Sequence, residues 1–213
     1  MTSNGLQAKR QFMTSFFDNL DEKVTFLEQL FEQERKDEAR MLCVCYLDGL
    51  SNWLHQTSMF LSKNFAVELS THSGNANFSL LMPEWLLSSL PWGNAHRGWV
   101  PQIKTALRTL PAREAILPHE LVRQVAPAIT HDQLNWLKDE MWRGSVAKAV
   151  YDRIRSPNVH WLGSADGLVF DGYTYLGRPL PRVDFPMLHQ ALKKLAVHAR
   201  SISMSTDKWF GII

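Results

Sequence analysis

The sequence predicts a mainly α fold, an antiparallel helical bundle with a small β-hairpin appended before the last helix. Three observations carry this expectation. Apolar residues recur at spacings of three and four near both ends of the chain, the period of a helix with one buried face. Thr130-His131-Asp132-Gln133 has the composition of a capping box, in which Thr and Gln satisfy the first free amides of a helix. Strand-like composition gathers in one short place, Leu168-Val169-Phe170 and Tyr173-Thr174-Tyr175 joined through Asp171-Gly172, which Arg182-Val183-Asp184 would extend.

Taken in order, Phe12, Phe16, Leu20, Val24, Leu27 and Phe31 predict an amphipathic helix over 12–31. The charged run Glu32 to Glu38 reads as a solvated turn or helix start. From Ala39 to Leu61, residues such as Met41, Leu42, Tyr46, Leu50 and Trp53 leave few polar positions, which predicts a central helix buried on most sides. Asp48 is an acid inside that helix, and a buried acid needs partners. Between 64 and 127, Pro83, Pro91, Pro101, Pro111, Pro118 and Pro127 break the pattern into short helical pieces, Glu84–Leu90, Gln102–Leu110 and His119–Val125. This stretch reads as an elaboration on a single domain spanning 1–213, since no linker composition separates it. A further helix is expected from Thr130 to Arg155, carried by Leu134, Leu137, Met141, Val146, Val150 and Ile154. Pro157 disfavours helical geometry at Ser156 and should stop it. Asp184 is placed to cap a last helix, Phe185–Ser201, with Leu188, Leu192, Leu195 and Ala199 on one face.

Composition narrows the class. With 213 residues, 45% of them apolar and 21% charged, the chain has the balance of an ordinary globular domain. No apolar run approaches the roughly 18 residues of a membrane span. The first ten residues lack the charged-then-apolar order of a signal peptide, so a cytoplasmic location is expected. Cys43 and Cys45 stand two apart on a helix and point to different faces, which excludes an unstrained disulfide and suits small buried side chains. His189 and His198 fall nine apart with no acid or Cys at ligand spacing, so no metal is expected there; no cofactor is expected either. The net charge of +2 conceals an asymmetry: residues 1–140 hold 13 Lys and Arg against 16 Asp and Glu, whereas 141–213 hold 10 against 5. The basic half suits an anionic ligand.

That half contains Arg155-Ser156-Pro157-Asn158-Val159-His160. A guanidinium forks onto phosphate, and an imidazole takes or gives protons near neutral pH. Together they form a minimal set for cutting a phosphodiester without a metal. The structural alternatives are a cation stabilising a helix C-terminus for Arg155 and a histidine packed under Trp161 for His160. Trp92-Gly93-Asn94-Ala95-His96-Arg97-Gly98-Trp99 is a second stretch of interest. Its rings can stack on bases and its cation can touch phosphate, or it is an ordinary exposed loop.

Two patches resemble the HEPN superfamily. Arg40-Met41-Leu42-Cys43-Val44-Cys45-Tyr46-Leu47-Asp48-Gly49-Leu50 is similar to its apolar second-helix signature. Val150-Tyr151-Asp152-Arg153-Ile154-Arg155 through His160 is similar to its aromatic-led Arg-x4-6-His motif. The tail, a hairpin and then a helix reaching Trp209-Phe210, is like what often follows. The resemblance implies a helical bundle that homodimerises, bringing two Arg–His pairs into one cleft. It further implies a metal-independent endoribonuclease, of the kind found in toxin–antitoxin, phage-defence and RNA-processing systems, with RNA as substrate and an antitoxin or other protein as a partner. Arg155 and His160 would be its catalytic residues, with Ser156 and Asn158 holding phosphate or RNA. Active members commonly carry Asn, Asp or His directly after the Arg, where this chain has Ser156-Pro157. The alternative implied is a non-catalytic module that binds nucleotide, RNA or a protein partner.

Overall fold

The apolar run of the second helix buries Cys43, Val44, Leu47 and Leu50 against three other helices and leaves a partly exposed face at Cys45, Tyr46, Gly49 and Trp53. A computed structural model describes residues 3–55, 61–74, 76–93, 96–110, 115–152, 174–175, 178–179 and 184–207. Helix α1 spans Ser3–Glu32, α2 Lys36–Leu54 and α3 Leu61–His72. The last helix, α9, spans Phe185–Thr206. α2 packs against α1, α3 and α9, and α1 and α9 also pack on each other. Cys43, Val44 and Leu47 of α2 meet Leu27 of α1, Leu69 of α3 and Leu192 of α9 in the main core. The turn between α1 and α2 uses Glu34 in the left-handed region, at φ 63°, and Asp37 and Glu38 in the first turn of α2 complement its dipole. Buried Cys43 has its thiol pKa pushed up by desolvation, so it stays protonated and inert.

α9 follows the expected pattern closely. Asp184 accepts from the Met187 amide at 3.1 Å, and Leu188, Leu192, Leu195 and Ala199 are all fully buried. His189 is buried too. Its Nε2 donates to the Val24 carbonyl at 2.9 Å, tying α9 to α1. Outside the core, Arg200 reaches Asp18 and Asp21 of α1 at 2.8 and 3.0 Å. Exposed pairs of this kind contribute little energy and mainly fix how the two helices lie.

A second apolar cluster gathers short helices led by proline: α4 (Pro83–Ser89), α5 (Val100–Arg108) and α6 (Pro118–Val125). Proline in a first turn lacks only an amide that would be unpaired anyway. Helix α7 (His131–Glu140) closes this cluster and starts at the expected capping box: Thr130 and Gln133 exchange both hydrogen bonds. Extended backbone joins the cluster to the bundle. Leu81 and Ile116 exchange two bonds of 2.8 Å, Met82 N donates to the Gly144 carbonyl at 2.9 Å, and Val146 N donates to the Leu80 carbonyl at 3.0 Å.

Several expectations are corrected. The buried stripe of α1 runs through Met13, Phe17, Leu20, Val24, Leu27 and Leu30, while Phe12 is 59% exposed. Adjacent apolar residues, Phe12-Met13 and Phe16-Phe17, offer two phases, and packing selects the second. α2 ends at Leu54 rather than Leu61. α3, unexpected as a continuous helix, belongs to the bundle although most of it falls within 64–127. The helix expected from 130 to 155 is broken: α7 stops at Glu140, a 3-10 turn covers Met141–Gly144, and α8 covers Val146–Val150. Ser145 caps α8, accepting from the Lys148 amide at 3.1 Å. The break lets Gly144 lie against α4. Residues 168–170 of the expected hairpin lie outside the described residues; Thr174–Tyr175 (β1) pair antiparallel with Arg178–Pro179 (β2). Among the described residues no helix is long and apolar enough to cross a membrane.

Two glycines test this packing with opposite signs. A Cβ on Gly144 would stand 2.6 Å from the Leu86 Cβ and 2.9 Å from its Cα, whereas one on Gly49, within α2, would meet nothing within 4 Å. Gly144→Ala is expected to lower unfolding free energy by about 1–3 kcal/mol through overpacking. Gly49→Ala is expected to raise it by about 0.5–1 kcal/mol, because glycine loses most entropy in a helix interior. Denaturant titration of both variants checks the pair; equal effects would mean the contact with α4 is not formed.

Candidate functional site

The main core contains a run of polar side chains, most of them on α3. Asn64, Glu68 and His72 recur every four residues and so share one face, while Phe65, Ala66 and Leu69 turn into the apolar core. Asn64 Nδ2 donates to Asn52 Oδ1 at 3.0 Å, and Asn52 Nδ2 donates to Asp48 Oδ1 at 2.8 Å. Asp48 is therefore a buried acid held by hydrogen bonds within the bundle, as its position in α2 requires.

Glu68 is buried between two imidazoles. Its Oε1 lies 2.5 Å from His55 Nε2 and its Oε2 lies 3.1 Å from His72 Nε2. A carboxylate only accepts, so both rings carry their proton on Nε2. His55 closes the C-terminus of α2, and its side chain keeps 39% exposure, against 14% for His72 and 9% for Glu68. The His198 ring of α9 stands 5.1 Å from that of His72. Desolvation pulls the His72 pKa below the ordinary histidine range. His198 and Lys194 act in the same direction, and the Glu68 carboxylate opposes them. This arrangement orients an exposed imidazole by a buried carboxylate, the geometry of an acid–base pair. Among the described residues no cluster of three or more His, Cys, Asp or Glu could hold a metal ion.

α8 brings the chain to this helix. The Tyr151 ring meets Phe65 edge-on, with centroids 5.4 Å apart, and Lys148 pairs with Asp152 one turn on. Phe65 directly follows Asn64 and precedes Glu68 by three residues. The approach to the Arg-x4-His segment is thus fastened to the helix that carries the polar run. Arg155, Ser156, Asn158 and His160 themselves lie outside the described residues. His189 is a core residue bonded to backbone, and His198 is an exposed neighbour of His72. His96 is half-buried between two indoles, with Arg97 exposed beside it. The Glu68 triad was not anticipated from sequence, although Asn64, Glu68 and His72, recurring every four residues on one helix, are the signal that reveals it.

No known protein family, characterised protein or solved structure matches this chain.

His72 and His189 make stability pH-dependent with a definite sign. Burial lowers both pKa values, chiefly by desolvation, with Lys193 adding to the effect at His189 while its bond to Val24 and the charge of Glu28 oppose it. The unfolded chain therefore binds more protons than the folded one below the free histidine value of about 6.5. Stability is full above that value and is lost as pH falls towards the lowered folded values. Thermal unfolding at pH 7.5 and 5.5 should show a lower midpoint at the acid end, with a smaller drop in His72→Gln. An unchanged midpoint in the parent protein would contradict the burial of neutral imidazoles.

Proposed function

We propose that this chain is a metal-independent endoribonuclease of HEPN type that cuts RNA by attack of a ribose 2′-hydroxyl, leaving a 2′,3′-cyclic phosphate. His160 acts as general base or acid, since its reference pKa near 6.5 suits both tasks. Arg155 holds the phosphate and stabilises the charge that grows on its oxygens. The amides that follow Ser156 would supply further donors to that phosphate, and Asn158 would orient phosphate or imidazole. Two protomers supply one cleft, and the activity suits a toxin or phage-defence component controlled by a protein partner.

One observation carries this reading. The helix preceding Arg155 docks through Tyr151 on α3, the helix that supports a satisfied polar run inside an apolar bundle. A mainly helical bundle is the fold that the resemblance implies. Ser156-Pro157, standing where active members carry Asn, Asp or His, favours a second reading, a non-catalytic module that binds nucleotide, RNA or a protein.

Incubating the purified protein with end-labelled RNA in the presence of chelator separates these readings. Cleavage is expected, and Arg155→Ala or His160→Ala should each slow it by roughly 10²–10⁴-fold. Undiminished cleavage by His160→Ala would overturn the assignment, and binding without turnover by the parent protein would support the module.

A further inference from the structure

An aromatic surface lies on the proline-led cluster, formed by residues other than those around Glu68. The His96 ring stands between two indoles, with centroids 4.9 Å from Trp99 and 4.7 Å from Trp136. Trp136 in turn lies 5.8 Å from Trp92 and 6.2 Å from Trp99. All four rings are half-buried: they roof the second apolar cluster and keep part of their area in solvent. Their positions are held from below. Trp92 Nε1 donates to the Leu87 carbonyl at 3.3 Å, and Gln133 Nε2 donates to Gln102 Oε1 at 2.5 Å, linking α7 to α5.

Cations accompany the rings. Lys104 Nζ sits 5.3 Å from the centre of Trp92, and Arg97 is exposed between His96 and Trp99 in sequence. From Trp85 to Arg113 the chain contains no Asp or Glu, and its charges are Arg97, Lys104, Arg108 and Arg113. This local field runs against the net negative charge of residues 1–140. α7 brings Asp132 one turn before Trp136. A folding role alone accounts for apolar rings over a core. It does not account for the absence of acids from the segment that supplies three of the four rings.

We propose that Trp92, His96, Trp99 and Trp136, with Arg97 and Lys104, form a binding surface for single-stranded nucleic acid. The rings stack on bases and the cations meet the backbone phosphates. Stacking on indole is tolerant of base identity, because every base presents a π-face, and cations beside the rings add a salt-dependent component. The surface is an RNA-holding site remote in sequence from the cleavage residues. That RNA is the natural strand rests on the ribonuclease reading; the affinity for a single strand does not.

The test measures quenching of tryptophan fluorescence and anisotropy of labelled strands, using a short 2′-O-methyl uridine oligomer, which cannot be cut, and its deoxy counterpart. The parent protein should bind the single strands and lose affinity as salt rises. Trp99→Leu, which keeps an apolar roof, should weaken binding about tenfold. Lys104→Gln, a change that leaves the apolar cluster intact, should weaken it and reduce the slope of log affinity against log salt by about 0.7. Preference for the 2′-O-methyl strand over the deoxy strand would identify RNA as the ligand, and equal affinity would identify single strands of either sugar. Full affinity in both variants would overturn the proposal while leaving any cleavage by His160 untouched. Absence of binding by the parent would also overturn it and leave the rings as a core roof or a protein-docking face. Binding without any cleavage would sustain this surface and remove the ribonuclease reading alone.

Discussion

A helix that is apolar around most of its circumference exists in water only when other helices enclose it, and α2 is such a helix. Its enclosure by α1, α3 and α9 sets the order of the bundle. Burial of side chains such as Val44 and Leu47, each stabilising by about 1.5–3 kcal/mol relative to exposure, gives that order its energy. α8 then docks on the flank of α3. The proline-led cluster is clamped to the same flank by backbone bonds around Leu80, Leu81 and Gly144.

The enclosure has a chemical consequence. A polar group inside it is costly unless paired, and Asp48, Asn52 and Asn64, like His55, Glu68 and His72, bond to one another. Glu68 accepts from two imidazoles, so neither of its oxygens is left bare. His55 lies at the margin, where a buried carboxylate orients a ring that still reaches solvent. A polar run of this kind costs stability relative to an apolar core, and its presence on the helix that receives Tyr151 argues for use rather than for packing alone.

Where local chemistry and tertiary packing agree, the sequence is legible. Asp184 with its four apolar followers, the Thr130–Gln133 box and the three proline-led helices each carry their own start signal, and each is found where that signal lies. Where packing chooses between local equals, it is not. The phase of α1 depends on which of two neighbouring apolar residues meets α2. The break between α7 and α8 depends on Gly144 lying against Leu86, a contact between residues nearly sixty positions apart, which no local pattern contains. Glu68 escaped notice because one partner, His72, lies a turn on along α3, while the other, His55, comes from the end of α2 and is brought there only by the fold. Of the Arg–His site, the described part is its approach through Asp152, and Arg155 and His160 lie outside the described residues.

The chemistry of the cut RNA end tests the central claim most directly. If an imidazole and a guanidinium activate the ribose itself, fragments will end in a 2′,3′-cyclic phosphate, and one deoxyribose at the scissile position will stop the reaction there. Fragments ending in a free 3′-hydroxyl, or cutting at the deoxy position, would contradict the account.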